Sequence, residues 1–347
     1  TTAPNASTTS ISVNPVTSDN ILNATEAGAA TLAITGKVTG DVTAGDVVTL
    51  TVNGNTYTGT VAANGTYSID VASSDLTADA DTTIQASVQA HDAANNAGTV
   101  SVQHVYVYDG TGPSGSTTSL TVNVVASDDI INITEASQTN THITGLVSGE
   151  FTVGDTVSMV VNGQTFTGTV NADGTCGIDV TTADLVADTN KSLVASLVAH
   201  DAAGNPGTIS TTHSYGVDTT APSTATTTLI VDTVTADNTL NIADASAPLT
   251  PITGKVQGEF KAGDVVTLVV NNQSYTGTVD TQGAYSINVD TAQLLADADK
   301  TIQASINAHD AAGNPATIST THVYLVDQAG PSSNTTTLAV DTVTIDN

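Results

Sequence analysis

The tetrad Ser18-Asp19-Asn20-Ile21 returns as Ser127-Asp128-Asp129-Ile130 and as Ala236-Asp237-Asn238-Thr239, each time after 109 residues, and Ile345-Asp346-Asn347 opens it once more. A chain of 347 residues with that period is an array, so no single large core is required. Three units, residues 1–113, 114–222 and 223–331, are expected, followed by residues 332–347 as the first strand of a truncated fourth. Such a chain is expected to be a piece of a longer one.

Each unit carries the period-two alternation of strands, with β-branched residues in every segment. Val48, Leu50 and Val52 share one face of a strand, and Val157, Met159, Val161 and Val266, Leu268, Val270 repeat it. The chain's one Met thus fills a Leu slot in a core. Asn53-Gly54 and Asn162-Gly163 follow as two-residue hairpin turns, and Asn271-Asn272 can adopt the same left-handed backbone. The returning strands carry Tyr57, Phe166 and Tyr275. A glycine turn then leads to Tyr67, Ile69 and Val71, and Cys176 replaces that tyrosine in the second unit, where local underpacking is expected. Two long strands close the unit, residues 83–90 and 99–108. About seven strands in 109 residues predict an all-β fold of tandem immunoglobulin-like Greek-key β-sandwiches, an up-and-down barrel being the alternative.

Charge narrows the function. Thirty-four acidic residues against five basic ones give a formal charge of −29, which removes the Lys and Arg clusters that phosphate contacts need and excludes nucleic-acid binding. Contact with an anionic membrane is disfavoured for the same reason. The chain is 39% hydrophobic, too apolar for a solvated acidic tail. One cysteine permits no internal disulfide. No apolar run approaches the ~18 residues of a membrane span, and no basic-then-apolar run opens the sequence, so any secretion signal or anchor of the parent is expected to lie outside this piece.

The units are joined by Asp109-Gly110-Thr111-Gly112-Pro113, Asp218-Thr219-Thr220-Ala221-Pro222 and Asp327-Gln328-Ala329-Gly330-Pro331. Proline keeps such linkers short and extended, so each unit is expected to advance roughly 40 Å. The run His200-Asp201-Ala202-Ala203-Gly204-Asn205-Pro206, identical from His309 to Pro315, precedes Val217-Asp218 and its linker by about twelve residues. These paired motifs resemble the bacterial immunoglobulin-like repeats of giant surface adhesins, the repeats-in-toxin and biofilm-associated types, over the whole chain. The resemblance implies extender modules at the bacterial cell surface that hold a terminal adhesive domain away from the cell, commonly stiffened by calcium at or near the joints. The first unit departs from it with Asn95-Asn96-Ala97 but keeps Asp92, and the glycine-rich calcium nonapeptides of such adhesins do not occur.

In a sandwich the loop before the final strand lies beside the incoming linker. Asp109 is therefore expected to approach Asp201 and Asn205, and Asp218 to approach Asp310 and Asn314. Glu150 and Glu259 in the other long loop are further candidates, and Asp79, Asp188 and Asp19 would add oxygen from the opposite end of the preceding unit. Carboxylate and amide oxygens suit Ca²⁺ before Mg²⁺, although no EF-hand loop is present and the same acids could simply solvate a surface. Zinc is disfavoured, since neither thiolate clusters nor paired histidines appear.

The histidines at 91, 200 and 309, and at 104, 213 and 322, are expected to be structural, and His142, aligned with Ala33 and Pro251, a surface substitution. Residues 110–115 match a dinucleotide fingerprint only in spelling, because a proline sits inside it and no helix follows. No nucleophile elbow or phosphate-cradling loop occurs, and an enzyme is not expected. The reading is a monomeric mechanical spacer whose partners are its own neighbouring repeats. A ligand-binding module and a laterally assembling filament or surface layer stand as alternatives. The aromatics recur at matched positions as shared packing requires, and Phe151 and Phe260 opposite Val42 are where an exception would lie.

Overall fold

Val48, Leu50 and Val52 are each no more than 1% exposed, and the residues between them face outward, so the alternation resolves into a strand with one core face. The computed structural model describes residues 2–332 and 336–340. In the first period the strands are β1 (Thr9–Val13), β2 (Ile21–Asn23), β3 (Thr31–Gly40), β4 (Val47–Val52), β5 (Asn55–Thr60), β6 (Thr66–Ala72), β7 (Thr83–His91), β8 (Ala97–Val105) and β9 (Val107–Asp109). Two short helices intervene, α1 (Ala24–Ala27) after β2 and α2 (Ser73–Ala78) after β6.

A three-stranded antiparallel sheet in the order β1-β3-β6 faces a four-stranded one in the order β5-β4-β7-β8. This is the seven-strand sandwich, and the barrel alternative falls. The β4–β5 hairpin closes from Val52 to Asn55 across Asn53 and Gly54, both at positive φ (48° and 76°) as a two-residue turn of this hand requires. The same two sheets recur in the second and third periods.

The final strand differs from expectation by one break. β8 stops at Val105, Tyr106 turns into the core, and β9 then runs parallel to β2 with Asn23 opposite Asp109. Tyr106 makes the break: its N–H donates to the Thr82 carbonyl at 3.0 Å and its hydroxyl to the Leu76 carbonyl at 2.6 Å. Two bonds from one buried residue outweigh continuing the ladder of β8 by one more residue.

The chain divides into two compact units, one of residues 1–124, 142–180 and 192–214, the other of residues 125–141, 181–191 and 215–347. The core of the first period, with Leu22, Ile34, Leu50, Val71, Leu76 and Ile84 among its members, belongs to the first unit. The matching core of the third, with Leu240, Ile252, Leu268, Val289, Leu294 and Ile302, belongs to the second. Met159 is fully buried in the Leu slot, as its spacing predicts. Each such side chain contributes about 1.5–3 kcal/mol on burial. Leu50→Ala is expected to cost about 2–5 kcal/mol in urea unfolding, and Met159→Leu, which conserves volume, less than about 1.5 kcal/mol. The expected strand of a fourth unit falls largely outside the described residues. Residues 336–340 are described and form no strand.

Candidate joints between repeats

The motif Asp201-Ala202-Ala203-Gly204-Asn205 folds on itself through the Asp201 side chain. Its Oδ1 accepts from the N–H groups of Ala203 and Asn205, both at 2.9 Å, and Gly204 takes φ +83°, a left-handed value that glycine adopts without strain. The loop so formed buries Asn205 to 1% exposure. All of the polar capacity of that side chain that lies within reach is used. Nδ2 donates to Asp201 Oδ2 at 3.0 Å and to the backbone carbonyl of Asp109 in the preceding period at 2.9 Å, and Oδ1 accepts from the Ala24 N–H at 2.8 Å. One carboxamide thus ties the loop to both β9 and the start of α1.

The preceding period is shaped to receive it. Asn23 caps α1 by accepting from the Glu26 N–H, Glu26 Oε2 accepts from the Asn23 N–H, and Asn23 Nδ2 donates outward to the Ala203 carbonyl at 3.1 Å. The linker passes close to the loop: a Cβ on Gly112 would come within 2.3 Å of the Pro206 carbonyl oxygen.

The second unit repeats the arrangement. Asn314, fully buried, donates to Asp310 Oδ2 at 2.8 Å and to the Asp218 carbonyl at 2.9 Å, and accepts from the Ile133 N–H at 2.7 Å. Asn132 caps its helix with Glu135 and donates to the Ala312 carbonyl at 3.3 Å. In the third period Asp244 stands where Glu26 and Glu135 stand, and the turn tightens to a 3₁₀ helix, Asp244–Ser246.

Asp109, Asp201 and Asn205 are therefore brought together, as are Asp218, Asp310 and Asn314, with the asparagine reaching the backbone of each linker aspartate. The Asp109 carboxylate accepts from the Thr111 N–H at 3.1 Å and hydroxyl at 3.2 Å, and that of Asp218 from the Thr220 N–H at 3.0 Å. Asp79 accepts from the Thr83 N–H at 3.1 Å and Asp188 from the Tyr215 hydroxyl at 3.3 Å, so each braces the turn after its own short helix. Asp19 accepts from the Ile21 N–H and the Thr17 hydroxyl, bonds that lower its pKa. Glu150 and Glu259 have exposed side chains, and their backbones are pinned by the hydroxyls of Thr118 and Thr227. Among the described residues no three His, Cys, Asp or Glu side chains gather around a common point. The donors are hard oxygens of the type calcium takes.

Two recurring features escape a reading of spacing alone. The capping boxes of Glu26 and Glu135 place an acid beside each joint, and the signal was an Asn-x-x-Glu preceding no apolar run. Buried aspartates at 46, 155 and 264 each accept from the N–H of the following period-matched histidine and lie 2.6–2.7 Å from its Nδ1. These aspartates fix the end of the strand from which the joint loop departs.

No family model matches the chain, and no curated protein does. Solved structures match it closely. One, from work on how a 1.5-MDa bacterial ice-binding adhesin is retained at the host cell surface, is 36% identical over 92% of this chain and 98% of its own, with a TM-score of 0.74. Another, a Ca²⁺-stabilized adhesin that helps an Antarctic bacterium reach out and bind ice, is 38% identical over 92% of this chain and 74% of its own, with a TM-score of 0.59. Among the described residues no helix is long and apolar enough to cross a membrane. With sequence identity, repeat fold and length in agreement, the chain belongs to the immunoglobulin-like extender repeats of bacterial surface adhesins.

Proposed function

We propose that the chain is a spacer whose length and stiffness are its function, with residues 1–113, 114–222 and 223–331 each forming one sandwich, and that it carries an adhesive domain of the parent protein away from the bacterial surface in cell adhesion or biofilm formation. The observation that carries this reading is the joint itself. The same buried asparagine, with the same partners, closes both. A joint between freely moving beads has no use for a side chain satisfied on three sides at once.

Calcium is assigned to the joints, held by the carboxylates of Asp109 and Asp218 with oxygens from the Asp201–Asn205 and Asp310–Asn314 loops, Asp79, Asp188, Asp19, Glu150 and Glu259 being the wider candidates. Glu26 and Glu135 join them as acids on the facing side. The ion would supply charge neutralisation where like charges meet in a chain of −29. Support comes from the calcium-stabilised relative and from the linker carboxylates, which are half-buried beside the joint loops and accept hydrogen bonds from within their own turns. At 1 M salt screening acts over only ~3 Å, so repulsion alone would not hold such a chain straight in brine.

Small-angle scattering with and without a chelator tests this. Chelation is expected to shorten the maximum dimension while circular dichroism stays unchanged, and most bending should enter at Gly110 and Gly112, which leave more backbone freedom than Thr219-Thr220-Ala221. An unaltered maximum dimension overturns the calcium assignment.

A further inference from the structure

The turn that follows α2, and its counterparts after the helices Thr182–Ala187 and Thr291–Ala296, keeps one backbone in all three periods. Thr82, Lys191 and Lys300 sit in it at positive φ (48°, 49° and 51°), and each gives its carbonyl to the N–H of a buried tyrosine, Tyr106, Tyr215 or Tyr324, at 3.0 Å. The hydroxyls of those tyrosines donate to the carbonyls of Leu76, Leu185 and Leu294 at 2.6, 2.9 and 2.7 Å. What differs is one side chain. Lys191 donates its ammonium to the carbonyls of Val186 and Asp188 at 2.7 and 2.6 Å. Lys300 repeats this on Leu295, at 2.9 Å, and on Asp297.

In the first period the matching carbonyls are those of Thr77 and Asp79, and Thr82 has no ammonium to give them. A β-branched residue is an uncommon choice for left-handed backbone, so the tyrosine bonds, not the side chain, hold the turn in its shape. The Thr82 N–H reaches the Asp79 carbonyl at 3.3 Å, which leaves that oxygen a second lone pair. Asp79 and Asp81 each accept from the Thr83 N–H at 3.1 Å, so two carboxylates stand at the turn with no basic residue among residues 73–83. Asp188 and Asp297, with a lysine at their own carbonyls, are 4% and 5% exposed. Asp79 is half-buried and Asp81 exposed, and an ion can reach them from solvent. The sister lysines, more than the acids, define what the place takes: one positive charge of ammonium size on two carbonyl oxygens.

We propose that the turn after α2 binds a monovalent cation of ammonium size, potassium or ammonium itself, on the carbonyl oxygens of Thr77 and Asp79, where the sister repeats hold a lysine ammonium. Potassium accepts backbone carbonyls in place of its hydration shell, and the carboxylates of Asp79 and Asp81 supply the opposite charge. The ion does in the first repeat what the lysine does in the others, tying the end of the short helix to the turn that starts β7. The inference rests neither on the spacer reading nor on calcium at the joints, and it gives Asp79 an ion of its own.

The test is an amide NMR titration of the whole chain with potassium chloride, at constant ionic strength in calcium-free tetramethylammonium chloride, whose cation is too large for the turn. Saturable shifts are expected at Ala80, Asp81 and Thr82 and at none of Asn190, Lys191, Asp299 and Lys300, where an ammonium is resident. Exchange of the Thr83 amide should slow by about threefold or more at saturation. Thr82→Lys should abolish the response, and Lys300→Thr, which leaves Asp297 and Asp299 in place, should create it at Asp299. Non-saturating shifts, equal responses in all three turns, an unaltered titration in Thr82→Lys or an unresponsive Asp299 in Lys300→Thr each overturn the site. Saturation of the same amides by calcium chloride at a concentration about tenfold or more below that of potassium overturns the monovalent assignment.

Discussion

Asn205→Ala is expected to speed exchange of the Ala24 amide by at least about tenfold while the exchange of β4 and β7 amides stays as it was. The Ala24 N–H has Asn205 Oδ1 as its acceptor, and the Asp109 carbonyl and Asp201 Oδ2 lose a donor with the same substitution. Each buried group left without a partner costs about 1–3 kcal/mol, and water entering the joint recovers part of this. The sandwich cores are untouched, because Asn205 lies in a loop outside both sheets. Asn205→Asp should be worse than Ala without calcium: it loses both donors and sets a second carboxylate where Nδ2 now stands, 3.0 Å from Asp201 Oδ2. Asn314→Ala should act the same way on the Ile133 amide. Unchanged exchange at Ala24 and Ile133 would mean that the joints do not depend on these carboxamides.

Much of the sandwich is legible in the sequence because its signals are local. Asn53-Gly54 fixes a hairpin, and the parity of Val48, Leu50 and Val52 then fixes which face is buried. The joints are legible only in part. The strand-end argument brings Asp109 beside the Asp201 loop, but it treats the aspartate side chain as the group that matters. What reaches across is the Asn205 amide, and it meets a backbone carbonyl, because the parallel pairing of β9 with β2 sets Asp109 beside Asn23. That ladder spans three residues, too few for any periodicity to show. Pairs such as Asp46 and His91 lie 45 residues apart and become neighbours only when β4 and β7 pair. Cys176 was readable as a small side chain in an aromatic slot because two sister repeats carry tyrosine there, and it is buried in that place.

Those aspartates set the second large effect, a loss of stability in acid. Burial alone would raise the Asp155 pKa, but the N–H groups of Thr152 and His200 and the His200 ring outweigh it and hold the carboxyl below its usual range. Asp46 is lowered in the same way by Thr43 and His91. A carboxyl depressed in the folded state adds stability above the unfolded value of about 3.9 and loses it as pH falls through the folded value. Urea unfolding should therefore be flat in this respect from pH 7 to about 5 and weaken below about pH 4. Asp155→Ala removes the acceptor of two backbone N–H groups and the partner of an imidazole at one stroke, and should cost about 3–5 kcal/mol at pH 7. Its remaining stability should fall less steeply in acid than that of the parent. Because His200 is the residue before Asp201, the same substitution should also speed exchange at Ala24, coupling the buried aspartate to the joint. Equal acid dependence in parent and variant would separate the aspartate from the acid transition, and an unmoved Ala24 amide would separate it from the joint.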